Sequence, residues 1–268
     1  MLDALREGTA ASADAVPVRY WTAGEGSPAI VLVHCWTCDH RAWDAQVRHL
    51  ADRHRVVTLD LAGHGASGRG RAEWTVEAFG EDVRAVVEAL ELRRAVLVGH
   101  SMGGPVALEA ARRLPGRVVG LIPVDTLLDV ERRVTGAELD AALAALRADY
   151  PGAVSTLMRD RLFLPTADPA LVERVVGRAA AAPPEIAVPA LEHTWRYDAA
   201  AALRRITVPI CAINADRFAT NLEANRRYAP QFQALIMPGV GHYPMLEAPA
   251  RFNRLLDEAI TRVTGGIA

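Results

Sequence analysis

The sequence predicts an α/β protein whose central sheet is mostly parallel and is covered by helices on both faces. Short apolar runs rich in β-branched residues alternate along the chain with segments in which apolar residues recur at helical spacing. This alternation is typical of parallel strands joined by crossover helices. Several runs are apolar throughout, which indicates strands that are buried on both faces. The predicted strands are 16–21, 29–34, 55–61, 95–98, 118–124, 208–213 and 232–237.

The segments between these strands carry the features that begin and end helices. Residues 39–52 place Trp43 and Leu50 on one apolar face, and Thr75 is the N-cap of a helix with a continuous apolar face. The first fifteen residues instead alternate alanine with polar and charged residues, and we predict a frayed leader there, without an apolar signal core. Further helices are expected up to residue 113 and over 221–228 and 249–263.

Between residues 126 and 203 the alternation stops, and only helical segments are predicted. Six prolines punctuate this stretch, and Thr135 and Glu138 have the spacing of a capping box. We predict that residues 126–203 form a helical cap domain, inserted over the carboxyl edge of the sheet, and that residues 1–125 and 204–268 form the core domain. The predicted cap helices are 135–148, 153–163, 168–182 and 185–195.

The composition is that of an ordinary globular protein and argues against several classes of function. Of the 268 residues, 51% are hydrophobic and 23% are charged, and the net charge is −2 without a basic stripe. A nucleic-acid partner is therefore not expected, and the apolar runs fall far short of the roughly 20 residues of a membrane span. Three cysteines do not make a disulfide framework. We expect a soluble, cytoplasmic protein with no membrane partner, and the sequence does not indicate its oligomeric state.

One strand ends in a turn with the features of a catalytic nucleophile. The strand up to Val98 is followed by Gly99-His100-Ser101-Met102-Gly103, and a helical pattern begins at once. In this context a Gly-x-Ser-x-Gly motif holds the serine in a strained conformation, because only residues without a Cβ let the chain pack so closely on either side. Its hydroxyl then projects at the carboxyl end of the sheet. Ser101 is therefore the predicted nucleophile.

The predicted base is His242, because a serine hydroxyl needs a neighbouring group that takes its proton. His242 lies in a glycine-flanked loop between the last strand and the last helix. That loop returns to the carboxyl edge of the sheet, where Ser101 is expected. The other histidines are placed less well, since most of them lie in predicted helices or flank the nucleophile.

Four motifs, taken in order, resemble those of the α/β-hydrolase fold family. They are His34-Cys35-Trp36 after a strand, Asp60-Leu-Ala-Gly-His-Gly-Ala-Ser67, Gly99-His-Ser-Met-Gly-Gly104 and Gly241-His242. The resemblance extends over nearly the whole chain and includes a cap inserted before the last two strands. It implies a mostly parallel sheet with helices on both faces and an inserted helical cap.

The resemblance also implies roles for particular residues. In that family the serine attacks a carbonyl carbon, and the histidine acts first as base and then as acid. Two backbone N–H groups hold the oxyanion, and here they belong to Met102 and Trp36. One position departs from the family pattern, because Cys35 stands where glycine is usual. The side chain at position 35 is expected to restrict the loop or tilt the Trp36 amide without removing that donor.

The carboxylate that orients the histidine has two candidates. In most relatives it follows the strand that corresponds to 208–213 here, which brings Asp216 near that place. In a minority of relatives, including some haloalkane dehalogenases, it follows the preceding strand, where Asp125 stands. The spacing after the later strand fits poorly, so we favour Asp125 and keep Asp216 as the alternative.

Two other motifs have competing interpretations. Cys35 and Cys38 form a C-x-x-C pattern, but no second cysteine pair completes a zinc site and the rest of the chain is not thioredoxin-like. Residues 63–68 match G-x-G-x-x-G, but no helix opens there as a dinucleotide site requires. No metal, nucleotide or other cofactor is predicted.

The predicted function is hydrolysis of small carboxylic esters (EC 3.1.1) through an acyl-enzyme on Ser101. Other reactions of the same triad stay open, namely those of a lactonase, a carbon–carbon bond hydrolase, an acyltransferase or a cofactor-free perhydrolase. A ligand-sensing protein of the same fold, which signals to a partner protein, is the alternative from another class. The residues predicted to bind the small-molecule ester substrate are Trp36, Met102, Tyr243, Phe163 and Trp195.

Overall fold

An eight-stranded sheet runs through the middle of the protein in the computed structural model, which describes residues 5–132, 134 and 136–265. The strand order is β1-β2-β4-β3-β5-β6-β7-β8, with β1, β2 and β4 paired antiparallel and the remaining neighbours parallel. The mostly parallel sheet predicted from the sequence is thus confirmed. The strands are β1 (Arg6–Ala11), β2 (Pro17–Ala23), β3 (Ala29–Val33), β4 (Val56–Leu59), β5 (Ala95–His100), β6 (Val118–Val124), β7 (Ile210–Ala215) and β8 (Phe232–Met237).

Helices connect the strands, as crossover connections between parallel strands require. A short 3₁₀ turn, His40–Trp43, precedes the first of them. None of the described helices combines the length and the hydropathy that crossing a membrane needs. The helices are α1 (Asp44–Leu50), α2 (Val76–Ala89), α3 (Gly103–Arg113), α4 (Gly136–Ala148), α5 (Tyr150–Leu162), α6 (Pro169–Ala180), α7 (Pro184–Arg196), α8 (Ala199–Leu203), α9 (Leu222–Tyr228), α10 (Pro244–Glu247) and α11 (Pro249–Thr264).

The strand order changes direction between β3 and β5, and this geometry fixes where a site can form. Strands β4 and β6 lie on opposite sides of that pair. The connections after β3 and β5 therefore diverge and leave a crevice at the carboxyl ends of the strands. Both strands are buried throughout, so the crevice has a rigid floor.

Between β6 and β7, the described residues form five helices, α4 to α8. They contact the rest of the chain through specific hydrogen bonds: the Trp36 indole donates to the Ala187 carbonyl at 2.7 Å, and the His242 amide donates to the Leu162 carbonyl at 2.7 Å. Thr135 of the predicted capping box lies outside the described residues. The division into a core and a cap domain stays a prediction.

The prediction of a frayed leader is wrong for residues 6–11. These residues form β1, which pairs antiparallel with β2 over its whole length, from Arg6 opposite Thr22 to Ala11 opposite Pro17. The sequence Arg-Glu-Gly-Thr-Ala-Ala has little intrinsic strand propensity. Pairing with an existing strand edge, rather than local preference, makes it a strand.

The residues just after β1 take part in a buried cluster of ion pairs and hydrogen bonds. The Arg71 guanidinium, 2% exposed, pairs with Asp82, which is fully buried, and with Asp14 at 2.7 Å. The Ser12 hydroxyl donates to the Asp82 carboxylate at 2.6 Å, and the Ala62 amide donates to its other oxygen at 2.9 Å. The cluster therefore joins the first strand to helix α2 and to the loop after β4.

The Asp82→Ala variant should lose about 3 kcal/mol of unfolding free energy, because it leaves the buried Arg71 charge with only half of its partners. Urea unfolding followed by circular dichroism measures this loss. The matched control is Glu88→Ala on the same helix, which breaks an exposed pair with Arg84 and should change stability little. Equal effects of the two substitutions would contradict a structural role for the cluster.

Two buried histidines meet at the carboxyl ends of β3 and β4. The His34 and His64 rings lie 5.0 Å apart, and His34 bridges the two strand ends by donating to the Cys35 carbonyl and accepting from the Leu61 amide. Burial lowers the pKa of His64 to about 3 and also lowers the pKa of His34. Both rings are therefore neutral near pH 7.

A histidine whose pKa is lowered by folding destabilises the protein in acid, because the unfolded chain binds the proton more tightly. For His64 the effect begins as the pH falls below the unfolded pKa of about 6.5 and reaches about 1.4 kcal/mol at pH 5.5. Urea unfolding at each pH measures this. Between pH 7.5 and 5.5, the unfolding free energy of wild type should fall by about 1.4 kcal/mol more than that of His64→Gln. Between pH 8.5 and 7.5, the unfolding free energies of the two proteins should change by the same amount. Parallel curves over the whole range would contradict the neutral, buried state of His64.

Candidate active site

The turn between β5 and α3 holds Ser101 in a left-handed conformation with φ of 52°. This close turn depends on the flanking glycines: a Cβ on Gly99 would lie 2.1 Å from the Gly103 carbonyl oxygen, and a Cβ on Gly103 would lie 2.6 Å from the Val33 carbonyl oxygen. The Ser101 hydroxyl forms no hydrogen bond with a described residue and faces a cleft. The local structure is thus that of a strained turn presenting one hydroxyl.

His242 lies beside this turn, and hydrogen bonds of its backbone amide and carbonyl hold it there. Its amide donates to the Leu162 carbonyl at 2.7 Å, and its carbonyl accepts from Nε2 of His100 at 2.7 Å. The Glu247 carboxylate accepts from the amides on either side of His242, those of Gly241 at 2.7 Å and Tyr243 at 3.0 Å. The loop that carries the imidazole is therefore fixed at four points.

Asp125 is the carboxylate that contacts the imidazole. Its Oδ2 accepts from Nδ1 of His242 at 2.6 Å, and its Oδ1 accepts from the Ala215 amide at 2.9 Å. A carboxylate oxygen accepts, so the contact orients Nδ1 as the donor, and in the neutral imidazole with this tautomer Nε2 has the lone pair. Asp125 is 7% exposed and itself has a left-handed backbone, with φ of 45°.

Asp216, the alternative acid, has a different contact. Its side chain is exposed, and its Oδ1 accepts from the Gly239 amide at 2.9 Å. Gly239 lies in the loop before His242, so Asp216 braces that loop without a hydrogen bond to the imidazole. The structure therefore brings Asp125, and not Asp216, to His242.

The two amides singled out in the sequence, those of Trp36 and Met102, donate to no acceptor among the described residues. Met102 directly precedes α3, whose N-terminus adds a positive potential at this point. Trp36 lies in a turn closed by the hydrogen bond from the Cys38 amide to the Cys35 carbonyl at 3.2 Å. Two main-chain donors are thus free beside the crevice.

Cys35 fits this turn without backbone strain, since the left-handed residue is Thr37, with φ of 58°. The Cys35 side chain is buried, and burial raises the pKa of its thiol well above the ordinary value. Cys35, Cys38 and Cys211 are all free thiols. Within the described part of the chain, no three His, Cys, Asp or Glu side chains form a group that could hold a metal ion.

A cleft of about 900 Å³ opens at Ser101 and Asp125. Of the predicted substrate-binding residues, Met102 and Trp195 line it. Trp36, Phe163 and Tyr243 are buried outside its lining. Trp36 is turned away by the hydrogen bond to Ala187, and the Phe163 and Tyr243 rings stack on each other at 5.2 Å.

His100 and Glu247 support the site but were not recognised from the sequence. The His100 ring is fully buried, 4.9 Å from the His242 ring, and burial lowers its pKa well below the ordinary histidine value. It therefore stays neutral and places no second positive charge beside His242. Glu247 lies five residues after His242 and binds the backbone of its loop. In the sequence alone, nothing distinguishes it from a surface glutamate.

Comparison with known proteins places this geometry in a family. The model of the alpha/beta hydrolase family matches residues 30–255. An uncharacterized protein of Mycobacterium tuberculosis is 30% identical over an alignment of 268 positions, which covers 88% of this chain and 75% of that protein.

Solved structures are similar over nearly the whole length. A thermophilic esterase from Thermogutta terrifontis is 28% identical, with a TM-score of 0.84 over 97% of this chain and 99% of that chain. Est816, described as an N-acyl homoserine lactone degrading enzyme, is 25% identical, with a TM-score of 0.80 over 94% of this chain and 99% of that chain. The motifs, the sheet and the extent of these matches agree: the chain belongs to the alpha/beta hydrolase family.

Proposed function

We propose that the protein is a serine hydrolase that cleaves small carboxylic esters through an acyl-enzyme on Ser101. The observation that carries the proposal is the 2.6 Å hydrogen bond between Asp125 and His242, beside a strained turn that presents the Ser101 hydroxyl. In this proposal His242 is the general base and then the acid. Asp125 orients the imidazole, and the Trp36 and Met102 amides form the oxyanion hole.

In the first half of the reaction, Nε2 of His242 takes the proton of Ser101 as the hydroxyl oxygen attacks the ester carbonyl carbon. The carbonyl oxygen becomes an oxyanion, which the amides of Trp36 and Met102 stabilise. His242 then gives its proton to the leaving alkoxide, and the alcohol departs. Asp125 stays ionised and stabilises the transient imidazolium.

In the second half, a water molecule replaces the alcohol. Nε2 of His242 takes a proton from this water, whose oxygen attacks the acyl carbonyl carbon of the Ser101 ester. Collapse of the second tetrahedral intermediate breaks the bond to Ser101, and His242 returns the proton to the serine oxygen. The products are the carboxylic acid and the free enzyme.

Residues 126–203 serve as the cap in this proposal, over a core made of residues 1–125 and 204–268. Support comes from the cleft, whose lining combines Ser101 and Met102 with Trp195 from α7. The Leu162 carbonyl at the end of α5 also fixes the His242 amide. The cap therefore shapes the substrate cleft and takes part in positioning the base. The three free thiols fit a reducing compartment such as the cytoplasm.

A lactonase reaction is the second candidate, favoured by the similarity to Est816. A lactone is a cyclic ester, so the same three side chains would open it, and the leaving alkoxide would stay tethered to the acyl group. Comparing kcat/KM for open-chain esters and for lactones of equal carbon number separates the two candidates.

The Ser101→Ala variant should lose more than about 10⁴-fold in kcat for p-nitrophenyl acetate, because no acyl-enzyme can form. Release of p-nitrophenol, followed by absorbance, measures the rate. The matched control is Ser155→Ala, a half-buried serine on α5 whose hydroxyl donates to the Pro151 carbonyl and which does not line the cleft. Wild-type turnover of no more than one ester per protein molecule would contradict an enzyme and favour a sensor.

Asp125→Asn should lower kcat by roughly 10⁴-fold, because an amide no longer holds the Nδ1–H tautomer of His242. Asp216→Asn should keep kcat within about threefold, since its carboxylate contacts only the Gly239 amide. Both variants should bind the substrate with similar KM. The assignment of the acid is wrong if Asp216→Asn loses the activity and Asp125→Asn keeps it.

A further inference from the structure

We propose that the cleft beside Ser101 selects esters that carry a carboxylate remote from the scissile bond, and that Arg161 and Arg132 bind this carboxylate. The inference rests on the proposed ester hydrolysis and names the substrate class of that same site. Both arginines line the cleft that contains Ser101 and Asp125.

The Arg161 side chain is exposed and borders the face of α5 that packs on the protein. Arg161 follows the buried residues Val154 and Met158 by seven and three positions, the spacing of one helix face. Arg159, on the same helix, lies off that face and pairs with Glu173 at 2.8 Å. The cation at position 161 therefore faces the cleft, whereas the cation at position 159 has an ordinary surface partner.

Another arginine, and not Arg161, binds the free carbonyl groups at the end of α5. Cations in the last turn of a helix commonly bind its free carbonyl groups. Here Arg217 does so, with its guanidinium donating to the Phe163 carbonyl at 2.6 Å and to the Asp160 carbonyl at 2.7 Å. Arg161 makes no side-chain hydrogen bond or ion pair with a described residue. It is an unpaired cation in a substrate cleft.

Arg132, from the loop after β6, also lines the cleft and likewise has no carboxylate partner among the described residues. Two acids share the lining, and both are already bonded: Asp125 to His242, and Asp129 to the Asn221 amide group at 2.9 Å and to the Glu131 backbone amide at 3.0 Å. The two carboxylates are thus held by hydrogen bonds, whereas the guanidinium donors of Arg161 and Arg132 have no partner among the described residues.

A large part of the remaining lining is apolar. It includes Leu127, Leu128, Trp195 and Phe218. A short methylene chain fits such a surface, with an ester at Ser101 and a carboxylate at the arginines. A guanidinium binds a carboxylate through parallel N–H donors, which gives direction as well as charge.

The test compares monomethyl adipate with methyl hexanoate, which differ only in a terminal carboxylate in place of a methyl group. A pH-stat at low salt measures kcat/KM for both esters. Wild type should prefer the anionic ester at least tenfold, and Arg161→Gln should lower kcat/KM for that ester by about tenfold, mainly through KM. The same variant should keep the rate for the neutral ester within twofold. The Arg132→Gln variant should show the same pattern, and the control Arg159→Gln should match wild type.

Salt gives a second readout, because added ions shorten the Debye length, to about 10 Å at 0.1 M ionic strength, and weaken an exposed ion pair. Raising the sodium chloride concentration should lower the preference for the anionic ester in wild type, and should lower it less in Arg161→Gln, which keeps only one of the two cations. An equal kcat/KM for the two esters in wild type, or a preference that survives in both arginine variants, would overturn the inference. Ser101-dependent hydrolysis of p-nitrophenyl acetate would leave the proposed function standing in that case, whereas its absence would remove both.

Discussion

The hydrogen bond between Asp125 and His242 connects parts of the chain that are 117 residues apart, and the site depends on it. Asp125 directly follows β6, and its second carboxylate oxygen accepts from the amide of Ala215 at the end of β7. His242 follows β8. One side chain thereby ties the ends of three neighbouring strands together, so that the position of the imidazole is set by the register of the sheet.

Backbone strain is concentrated around this bond. Ser101, Asp125 and Thr37 all have a left-handed backbone although none is glycine. Such conformations cost of order 1–3 kcal/mol each and persist only where the surroundings enforce them. Here Ser101 and Asp125 follow the parallel strands β5 and β6, and Thr37 lies in the turn after β3, so the sheet provides the rigid support. The strain places a hydroxyl, a carboxylate and a free amide at one edge.

Much of this arrangement follows from local sequence patterns. The buried strands β3, β5 and β6 are continuous apolar runs, and Ser101 and His242 lie in short glycine-containing motifs whose shape is locally determined. The strand β1 could not be predicted, because Arg6–Ala11 becomes a strand only by pairing with β2.

Interactions that depend on tertiary structure escape sequence reasoning in the same way. Asp125 and Asp216 both follow strands, and only the sheet shows which carboxylate reaches His242. His100 and Glu247 act through hydrogen bonds to a distant or neighbouring backbone, for which a single sequence carries no periodic pattern. The predicted substrate-binding residues Trp36 and Tyr243 illustrate the same point. Both are buried: the Trp36 indole donates to the Ala187 carbonyl, and the Tyr243 ring stacks on Phe163.

The proposed reaction requires an activated hydroxyl at Ser101. A fluorophosphonate reacts with such a serine by forming a bond from the hydroxyl oxygen to phosphorus, with loss of fluoride. Mass spectrometry of the labelled protein, followed by peptide mapping, should find one adduct per molecule on the peptide that contains Ser101, formed much more slowly in Asp125→Asn. Absence of an adduct, or an adduct at any other residue, would contradict the account.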